Sequence, residues 1–532
     1  MSAGGERAAV LLWGPPGSGK STVGPRLAAR LDRELVDLDA LVAQRAGVSV
    51  ARLIAERGEG AFRALEREAL DAVAGRRAVV SLGGGSLLHA PTRRRMLKRA
   101  WVVSLRCDRD TLLSRLGAGE GRPLLRGDLP ASLDALLALR AGAYAEAHAA
   151  VDATPDVDVV CSAIAERVKG EAPLVMPLGE RTHRVAFAPL AEAGAWVDRE
   201  CPGGARLIVS DARVSRLWGS SLRGAAGEAP ELRLTRGERG KTLATAERTW
   251  ELALASGLDR EGVVLALGGG VTTDLAGFAA GVFLRGVRWV SMPTSLLAMV
   301  DAAVGGKTAV DLPRGKNLVG VFHHPALALI DLATLATLPA REWRSGMAEA
   351  LKVGLTLDPE LLAFIEAHAP ALRRRGPWRP ELLSLAREVT RRAVQAKIDV
   401  VADDEREGGA RAVLNFGHTV GHAVEHASGY RERHGECVAV GMVAALSLGA
   451  ELGVTPPELR DRGLALIAAL GLPTAARVDR QRAEDALSLD KKRARGAVKM
   501  VFAAGEGRHA VTPVDLPRVR AAMARVLETR AP

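Results

Sequence analysis

Cysteine and aromatic residues are scarce in this sequence of 532 residues. The four cysteines, Cys107, Cys161, Cys201 and Cys437, show no CxxC spacing, so a disulfide framework is not expected and a reducing cytoplasm is the expected location. Aromatic residues make up only 3% of the chain, and the basic residues behind the net charge of +11 are spread along it. Nucleic acid is therefore not expected as a partner, and anionic small substrates account for part of the charge.

Long apolar runs are also missing. No uninterrupted apolar stretch approaches the ~20 residues of a membrane span, and the first apolar run, residues 8–13, is long enough only for a strand. A membrane partner and an export segment are therefore not expected. The length alone predicts about three or four domains.

A glycine-rich motif follows that first predicted strand and opens a predicted helix through residue 31, which is the context of a phosphate-binding loop. Its residues are Gly14, Gly17, Gly19, Lys20, Ser21 and Thr22. The backbone amides are predicted to cradle the phosphates of ATP, with Lys20 bridging them and Ser21 holding magnesium. A tight glycine turn without a ligand is the alternative.

The second half carries a dense set of histidines and a carboxylate. His418 and His422 are four apart and would share one face of a helix, with His434 after them and Glu349 before them. Neutral imidazoles and a carboxylate are the ligands of an open catalytic zinc site, so these residues predict a divalent metal centre. For one His pair alone, a surface helix with scattered histidines is the simpler interpretation.

The context favours the metal centre. Gly268 and its two following glycines come after the apolar run 263–267, as a strand feeding a turn whose backbone can approach a pyrophosphate. Charged and polar residues stand beside glycines from there to Asn317. Buried charges must be paired or take part in chemistry, so this segment is not expected to be an ordinary core-forming one.

Residues 174–520 resemble 3-dehydroquinate synthase. The resemblance rests on an ordered set: the glycine triplet with Asp274, Met299-Val-Asp301, Gly-Gly-Lys307-Thr, Gly-Lys316-Asn317, Ala-Glu349-Ala-Leu-Lys352, Asn415-Phe-Gly-His418 and His434-Gly-Glu. It implies that Glu349, His418 and His434 hold zinc or cobalt, whereas His422 faces the substrate. It also implies an NAD site formed by Asp211, Glu238, Lys241, Gly269, Gly270, Val271, Asp274, Thr294, Ser295, Lys307 and Lys316. Thr273 departs from the family, which commonly has glycine there.

The same resemblance implies the substrate 3-deoxy-D-arabino-heptulosonate 7-phosphate and the products 3-dehydroquinate and phosphate. A ring hydroxyl is oxidised transiently with bound NAD, phosphate leaves by elimination, and the cofactor is recycled. Asp301, Lys352 and His422 would be catalytic. The substrate would be bound by Arg285, Asp301, Lys307, Asn317, Lys397, Arg411, Asn415 and His422. Arg285 would reach in from the other subunit of a homodimer formed by the C-terminal half, and Lys491 or Lys492 would close the phosphate pocket.

Residues 8–168 resemble shikimate kinase. The resemblance rests on five motifs in the family's order: the phosphate-binding loop, Asp37-Leu-Asp39, Phe-Arg63, the triplet Gly83, Gly84 and Gly85, and Arg122-Pro-Leu-Leu. The resemblance implies that Asp37 helps to hold magnesium and that Asp39 receives the proton of the acceptor hydroxyl. Arg63, Arg140 and the glycine triplet would bind shikimate. Arg122 would act at the transferring phosphate, together with Lys20, and Arg115 would lie near adenine.

The predicted organisation is α/β. A P-loop kinase domain with a parallel sheet (1–170) is followed by a Rossmann-like NAD-binding α/β domain (171–335) and an all-α metal-binding domain (336–532). Two other functions are open: a metal-dependent alcohol or polyol dehydrogenase in the C-terminal part, and a non-catalytic nucleotide-binding module in the N-terminal part. The anion-binding set argues against the first, and the complete set of Lys20, Asp37, Asp39 and Arg122 against the second. A nucleic-acid ATPase is the weakest alternative.

Overall fold

The structure is a computed structural model of the chain. It describes residues 9–117, 128–227, 229–235, 237–373, 378–489 and 497–528. Its internal contacts divide the chain into two compact units, Met1–Ala186 and Phe187–Pro532. This division lies beyond the predicted boundary at residue 170. No helix among the described residues is long and apolar enough to cross a membrane.

The first unit is built on a parallel five-stranded sheet with the order β2-β3-β1-β4-β5. The strands are β1 (Val10–Trp13), β2 (Glu34–Asp37), β3 (Ala78–Ser81), β4 (Trp101–Arg106) and β5 (Ala149–Asp152). The helices between and after them are α1 (Lys20–Leu31), α2 (Leu38–Ala46), α3 (Val50–Val73), α4 (Ala90–Arg99), α5 (Arg109–Leu116), α6 (Leu129–Ala145) and α7 (Val157–Arg167). β1 is the central strand, so the loop that follows it lies at the middle of the sheet edge.

Alternation along β1 explains why the sheet is covered on both faces. Leu11 and Trp13 are buried in one apolar core, and Val10 and Leu12 in another. Successive side chains of a strand point to opposite faces, so a fully apolar strand needs helices on both sides. The glycine loop is thereby anchored to the most deeply buried strand of the unit.

A short antiparallel hairpin follows the last helix of this unit. It consists of β6 (Leu174–Met176) and β7 (His183–Phe187). Ala172 and Val175 are buried in the two cores of the first unit. The segment therefore packs as part of this unit up to Ala186.

The α/β part of the second unit has parallel strands in the order β14-β11-β10-β8-β9. They are β8 (Arg206–Asp211), β9 (Glu231–Leu234), β10 (Val263–Gly268), β11 (Arg288–Pro293) and β14 (Leu327–Ile330), and the antiparallel pair β12 (Lys307–Leu312) and β13 (Gly315–Phe322) lies between the last two along the chain. The helices are α8 (Ala193–Glu200), α9 (Ala212–Ala226), α10 (Leu243–Ala255) and α11 (Gly270–Val282). Strands and helices thus alternate through much of this part, as in the predicted Rossmann-like α/β domain.

The C-terminal part of the second unit is mainly helical. Its helices are α12 (Ala340–Thr356), α13 (Pro359–Leu372), α14 (Glu381–Asp403), α15 (His418–Ala427), α16 (His434–Glu451), α17 (Pro457–Ala469), α18 (Arg480–Leu489) and α19 (Leu516–Arg525). The predicted fold class is confirmed, with one correction to its all-α description. β15 (Ala497–Gly505) and β16 (Arg508–Asp515) form an antiparallel hairpin that the sequence did not predict. The middle of β15 is buried on both faces, so it lacks the alternation that marks a half-buried strand.

Helices α15 and α16 approach each other closely because glycines line their contact. A Cβ atom on Gly441 of α16 would lie 1.9 Å from the carbonyl oxygen of Gly417, the residue that caps α15. A Cβ atom on Gly435 would lie 2.0 Å from the carbonyl oxygen of Ser345 in α12. Real Cβ atoms do not tolerate such distances, so the three helices could not pack this way with larger residues. Each of these helices carries one of the predicted metal ligands.

We expect Gly441→Ala to lower the free energy of unfolding by roughly 3 kcal/mol, because the added methyl group forces α15 and α16 apart. Gly224→Ala in α9 is the matched control: nothing lies within 4 Å of its Cβ position, so removal of a helical glycine should be neutral or slightly stabilising. Calorimetric unfolding of the intact chain measures both. Equal unfolding temperatures for the two variants would show that the helix contact is not constrained by Gly441.

Candidate active sites

The phosphate-binding loop of the first unit lies between β1 and α1. Gly17 and Gly19 have φ angles of 82° and 89°, which residues with side chains rarely adopt, and Gly19 caps α1. Lys20 donates from Nζ to the carbonyl oxygens of Gly14 and Pro15, at 2.9 Å each. The loop faces a cavity of about 530 Å³ that is also lined by Ser21, Thr22 and Arg115. Arg115 is fixed by a 2.9 Å bond from Nη1 to the carbonyl oxygen of Ala153.

The predicted acceptor site gathers at the glycine triplet after β3. Hypothetical Cβ atoms on Gly83, Gly84 and Gly85 would lie 3.5 Å from Oδ1 of Asp39, 3.1 Å from Nη1 of Arg140 and 2.9 Å from Nη2 of Arg63, respectively. The triplet therefore leaves room for one carboxylate and two guanidinium groups at the same loop. A carboxylate substrate fits this pair of forks.

The carboxylates of Asp37 and Glu66 influence the pKa of Asp39. Burial raises the pKa of Asp39, and the charges of Asp37 and Glu66 raise it further, which suits a group that must accept a proton. Asp37 ends β2 and caps α2 by accepting from the amide of Ala40 at 3.0 Å. Glu66 is 1% exposed and accepts from Arg63 Nη1 at 2.7 Å and from Ser86 Oγ at 2.6 Å.

Glu66 is a residue whose role the sequence reasoning missed. Its only signal was its place three residues after Arg63, which puts both on one face of a helix. Arg122, the predicted residue at the transferring phosphate, lies outside the described residues.

In the second unit, Glu349, His418 and His434 converge from α12, α15 and α16. Oε1 of Glu349 is 3.7 Å from Nε2 of His418 and 3.5 Å from Nε2 of His434. One ligand atom from each of the three residues lies within 4.8 Å of the others. Glu349 is 1% exposed, and Lys352 forms an ion pair with its Oε2 atom. Two imidazoles and a buried carboxylate fit a divalent cation that keeps an open position.

The electrostatics of the three residues agree with that assignment. Burial lowers the pKa of His418 to about 3, with help from Lys352, so this imidazole is neutral as a metal ligand must be. Burial opposes the charge of Glu349, but Lys352 and the two histidines outweigh it and hold its pKa well below the usual range. Burial also opposes the charge of His434, yet Glu349 and Glu425 raise its pKa to about 10. As a metal ligand, His434 would have to be in its neutral form.

Glu425 orients His434 from the side opposite to Glu349. Its Oε2 lies 3.1 Å from Nδ1 of His434, and its Oε1 accepts from Nζ of Lys316 at 3.1 Å. His418 is oriented in the same manner, with Nδ1 at 3.1 Å from the carbonyl oxygen of Phe416. Such partners fix which imidazole nitrogen faces the metal. Sequence reasoning missed Glu425, although it stands three residues after His422 on the same helix face.

His422 lies beside the three predicted ligands. Its ring centroid is 5.1 Å from that of His418, and it forms a second group of ligand atoms with Glu425 and His434. It is exposed and lines the large cavity described below. That His422 faces the substrate stays a prediction.

A cavity of about 360 Å³ opens at the carboxyl ends of β8, β10 and β11, where dinucleotides bind in sheets of this kind. Most of the predicted NAD residues line it: Asp211, Glu238, Gly269, Gly270, Val271, Thr294, Ser295 and Lys316. Gly269 caps α11, whose amino end points its free amides at the cavity. Thr273 is accommodated inside this helix, where its hydroxyl donates to the carbonyl oxygen of Gly270 at 3.0 Å.

A larger cavity of about 680 Å³ adjoins the metal ligands and contains the other predicted residues. Its lining includes Lys241, Asp274, Asp301, Lys307, Asn317, Lys352, Lys397, Arg411, Asn415 and His422. Lys241 donates to Asp274 at 2.6 Å and to Asn317 at 2.5 Å. These contacts tie the predicted NAD residues to a predicted substrate residue.

The floor of this cavity is a network of buried charges. Lys397 is paired with Asp301 at 2.5 Å, and Arg411 donates to the carbonyl oxygens of Gly305 at 3.0 Å and Glu405 at 2.6 Å. Burial would raise the pKa of Asp301, but Lys397 and Lys352 outweigh it and lower the pKa to about 2. Asp301 lies in a π-helical turn, Ala298–Ala302, a distortion that is frequent at functional sites.

Arg285, a predicted substrate-binding residue, does not line either cavity. Leu284 and Arg285 both have left-handed backbones, with φ angles of 49° and 70°. Lys491 and Lys492 lie outside the described residues.

The chain therefore has two candidate active sites. One is a phosphate-binding loop on a parallel sheet, and the other is a glycine turn that shares a cavity with the predicted metal ligand His434. Comparison with known proteins shows the family of each part. Residues 16–169 match the family model for shikimate kinase, and residues 231–345 and 346–493 match those for the N-terminal and C-terminal parts of 3-dehydroquinate synthase.

The 3-dehydroquinate synthase of a Synechococcus species is 45% identical over 351 residues, which cover 64% of this chain and 94% of that protein. A solved 2-epi-5-epi-valiolone synthase from Streptomyces hygroscopicus, with NAD+ and Zn2+ bound, is 31% identical with a TM-score of 0.57 over 64% of this chain and 96% of that one. A 2-deoxy-scyllo-inosose synthase complexed with carbaglucose-6-phosphate, NAD+ and Co2+ is 27% identical with a TM-score of 0.61 over 67% and 100%.

The chain belongs to the 3-dehydroquinate synthase family, with a shikimate kinase domain in front. It is a bifunctional enzyme of the shikimate pathway, a kinase and a lyase in one chain.

We expect Glu425→Gln to weaken binding of zinc by about 10- to 100-fold, because a carboxylate that orients a ligating histidine contributes that much to metal affinity. Glu451→Gln is the control. Glu451 is the last residue of α16 and forms an ion pair with Arg525 at the surface. Competition with a chromophoric chelator measures the affinity without any turnover. Equal affinities for both variants would mean that Glu425 does not support the metal site.

Proposed function

We propose that the first unit phosphorylates shikimate with ATP, and that the second converts 3-deoxy-D-arabino-heptulosonate 7-phosphate to 3-dehydroquinate and phosphate. The observation that carries the second activity is the set of cations beside the predicted metal ligands, of which Lys397 and Arg411 are buried. A substrate with a carboxylate at one end and a phosphate at the other needs cations at both ends of its cavity. Lys307, Lys397 and Arg411 line this cavity together.

In the kinase, Lys20 and the loop amides stabilise the charge of the transferred phosphoryl group, and Ser21 and Asp37 hold magnesium. Asp39 accepts the proton of the attacking hydroxyl, for which its raised pKa is suited. Arg63 and Arg140 hold the carboxylate of shikimate against the glycine triplet. Glu66 keeps the Arg63 fork in position.

In the synthase, Glu349, His418 and His434 would hold zinc or cobalt, and the cavity of Gly269 and Gly270 would hold NAD. When bound, these groups supply a Lewis acid and a hydride acceptor that returns its hydride. Lys397 and Arg411 orient the substrate carboxylate, and Asp301 and Lys352 lie by the ring hydroxyls. Lys307, Asn317, Asn415 and His422 surround the phosphate and stabilise the charge of the leaving group.

Two variants of the intact chain test both activities, and each serves as the control for the other. Lys20→Ala should lower ADP formation with shikimate by a factor of about 10³ or more, because it removes charge stabilisation at the transferred phosphate. It should leave phosphate release from the heptulosonate phosphate unchanged. His434→Ala should abolish phosphate release, because the loss of one of three ligands loosens the metal, and should leave ADP formation unchanged.

The assay reads ADP, phosphate and absorbance of NADH separately. Stoichiometric accumulation of NADH during turnover would identify a dehydrogenase instead of a synthase. A wild-type chain that binds ATP but forms no ADP with shikimate would identify the first unit as a binding module.

We further propose that the second unit forms a homodimer in which Arg285 serves the neighbouring active site. Its support is the strained backbone at Leu284 and Arg285, since such conformations persist where the surroundings require them. Exposed apolar side chains lie on the same unit at Val282, Leu284, Leu318 and Phe322. If these side chains are contiguous, they form a patch that is typical of a protein contact.

Mixing inactive variants tests this arrangement. Arg285→Ala and His434→Ala should each be defective in phosphate release, and a mixture of the two should regain activity, because a mixed dimer has one complete site. Sedimentation of the wild type gives the oligomeric state independently. A dimer whose mixture stays inactive would show that Arg285 does not cross to the partner.

A further inference from the structure

The first unit extends beyond its family match. The match to shikimate kinase ends at residue 169, whereas the compact unit continues to Ala186. The additional residues form the hairpin of β6 and β7, and one of the elements that they contact is the carboxyl end of α6. This helix carries Arg140 and Tyr144.

Arg184 of β7 caps that end of the helix. Its Nη2 donates to the carbonyl oxygens of Ala145 at 2.9 Å and Ala147 at 2.7 Å, and its Nε donates to that of His148 at 3.1 Å. The last carbonyl groups of a helix have no partner within the helix, and a cation there also interacts favourably with the helix dipole. One guanidinium group thus satisfies three backbone acceptors where α6 ends.

A second contact comes from the turn of the hairpin. The amide of Gly179 donates to Oε1 of Glu146 at 2.9 Å, and Oε2 of the same carboxylate is held by Nε of Arg93 at 2.5 Å. Glu146 and Arg93 are both buried. A Cβ atom on Gly142 of α6 would lie only 3.5 Å from the Cα atom of Gly179, so helix and turn touch through their backbones.

The end of α6 that is held in this way faces the predicted shikimate site. The hydroxyl of Tyr144 donates to the carbonyl oxygen of Gly84 at 3.0 Å, and Arg140 lies against the same glycine. Arg140 is 7% exposed, and its Nε atom is buried without a partner among the described residues. The side chains of Arg140 and Tyr144 are also hydrogen-bonded to each other, so the position of both depends on the backbone of α6.

We infer that the hairpin of residues 174–184 is a positioning element of the kinase. It fixes the carboxyl end of α6, and with it Arg140 and Tyr144 at the glycine triplet. Residues outside the kinase family match thus determine how well the first active site holds its acceptor substrate. The inference rests on the proposed activity, because the role of Arg140 in binding shikimate belongs to that proposal.

Arg184→Ala in the full chain tests it. The KM for shikimate should rise by about tenfold, because α6 loses the cap on its last carbonyl groups. The KM for ATP should stay within about twofold, because the phosphate-binding loop is anchored on β1 and α1. Phosphate release by the second unit should not change. Arg184→Lys, which keeps a cation but not the planar fork, should fall between the wild type and the alanine variant.

The matched control is Arg77→Ala in the same unit. The side chain of Arg77 is 69% exposed, and its ion pair with Asp32, at 3.4 Å, lies at the surface. It should behave as the wild type. Hydrogen exchange gives a second readout without turnover: amides at the end of α6 should exchange faster in Arg184→Ala, and those of α1 should not. Unchanged exchange in α6, or an equal rise in both KM values, would overturn the inference. A wild type inactive with shikimate would instead refute the proposed kinase activity and leave the exchange result to decide the positioning role.

Discussion

Burial of the Glu349 carboxylate is the constraint on which the second active site depends. The residue is 1% exposed, and a buried charge is strongly unfavourable unless it is paired. Lys352 lies one turn further along α12, and His418 and His434 reach the carboxylate from two other helices. This convergence requires the backbone contacts that only glycines permit. The helical packing and the ligand geometry are therefore two aspects of one arrangement.

The two active sites solve the problem of anion binding in different ways. The kinase loop presents backbone amides and needs glycines in left-handed conformations, with Lys20 as its main charged group. The synthase uses side-chain cations and balances them with carboxylates, as in the pair of Lys397 and Asp301. Each of its ions raises or lowers the pKa of its neighbours, so a single substitution there changes several groups. The kinase loop is less coupled, because backbone amides do not titrate.

Much of both sites could be predicted from the sequence, because glycine turns and closely spaced ligands are local patterns. The loop around Lys20, the triplet at Gly83 and the group of Glu349, His418 and His434 all assemble as predicted. Glu425 and Arg184 could not be assigned a role, since each acts through a partner brought close only by the tertiary fold. Glu66 does stand one helical turn from Arg63, but its second partner, Ser86, is brought close by the fold. The strand β15 was missed for another reason: it is apolar on both faces, and periodicity cannot separate such a run from a buried helix.

The chemistry of the two reactions argues against direct transfer between the sites. The product of the proposed synthase, 3-dehydroquinate, must be dehydrated and reduced before it becomes shikimate, so a tunnel between these two sites would have nothing useful to carry. Independent catalysis does not imply that the chain can be divided at the end of the kinase family match. A fragment that ends at residue 170 would lose Arg184 and the turn at Gly179, and α6 would lose the groups that hold its carboxyl end. On this inference, the segment that the kinase needs extends past residue 169, where the family match ends, and includes the hairpin. The two reactions remain separate.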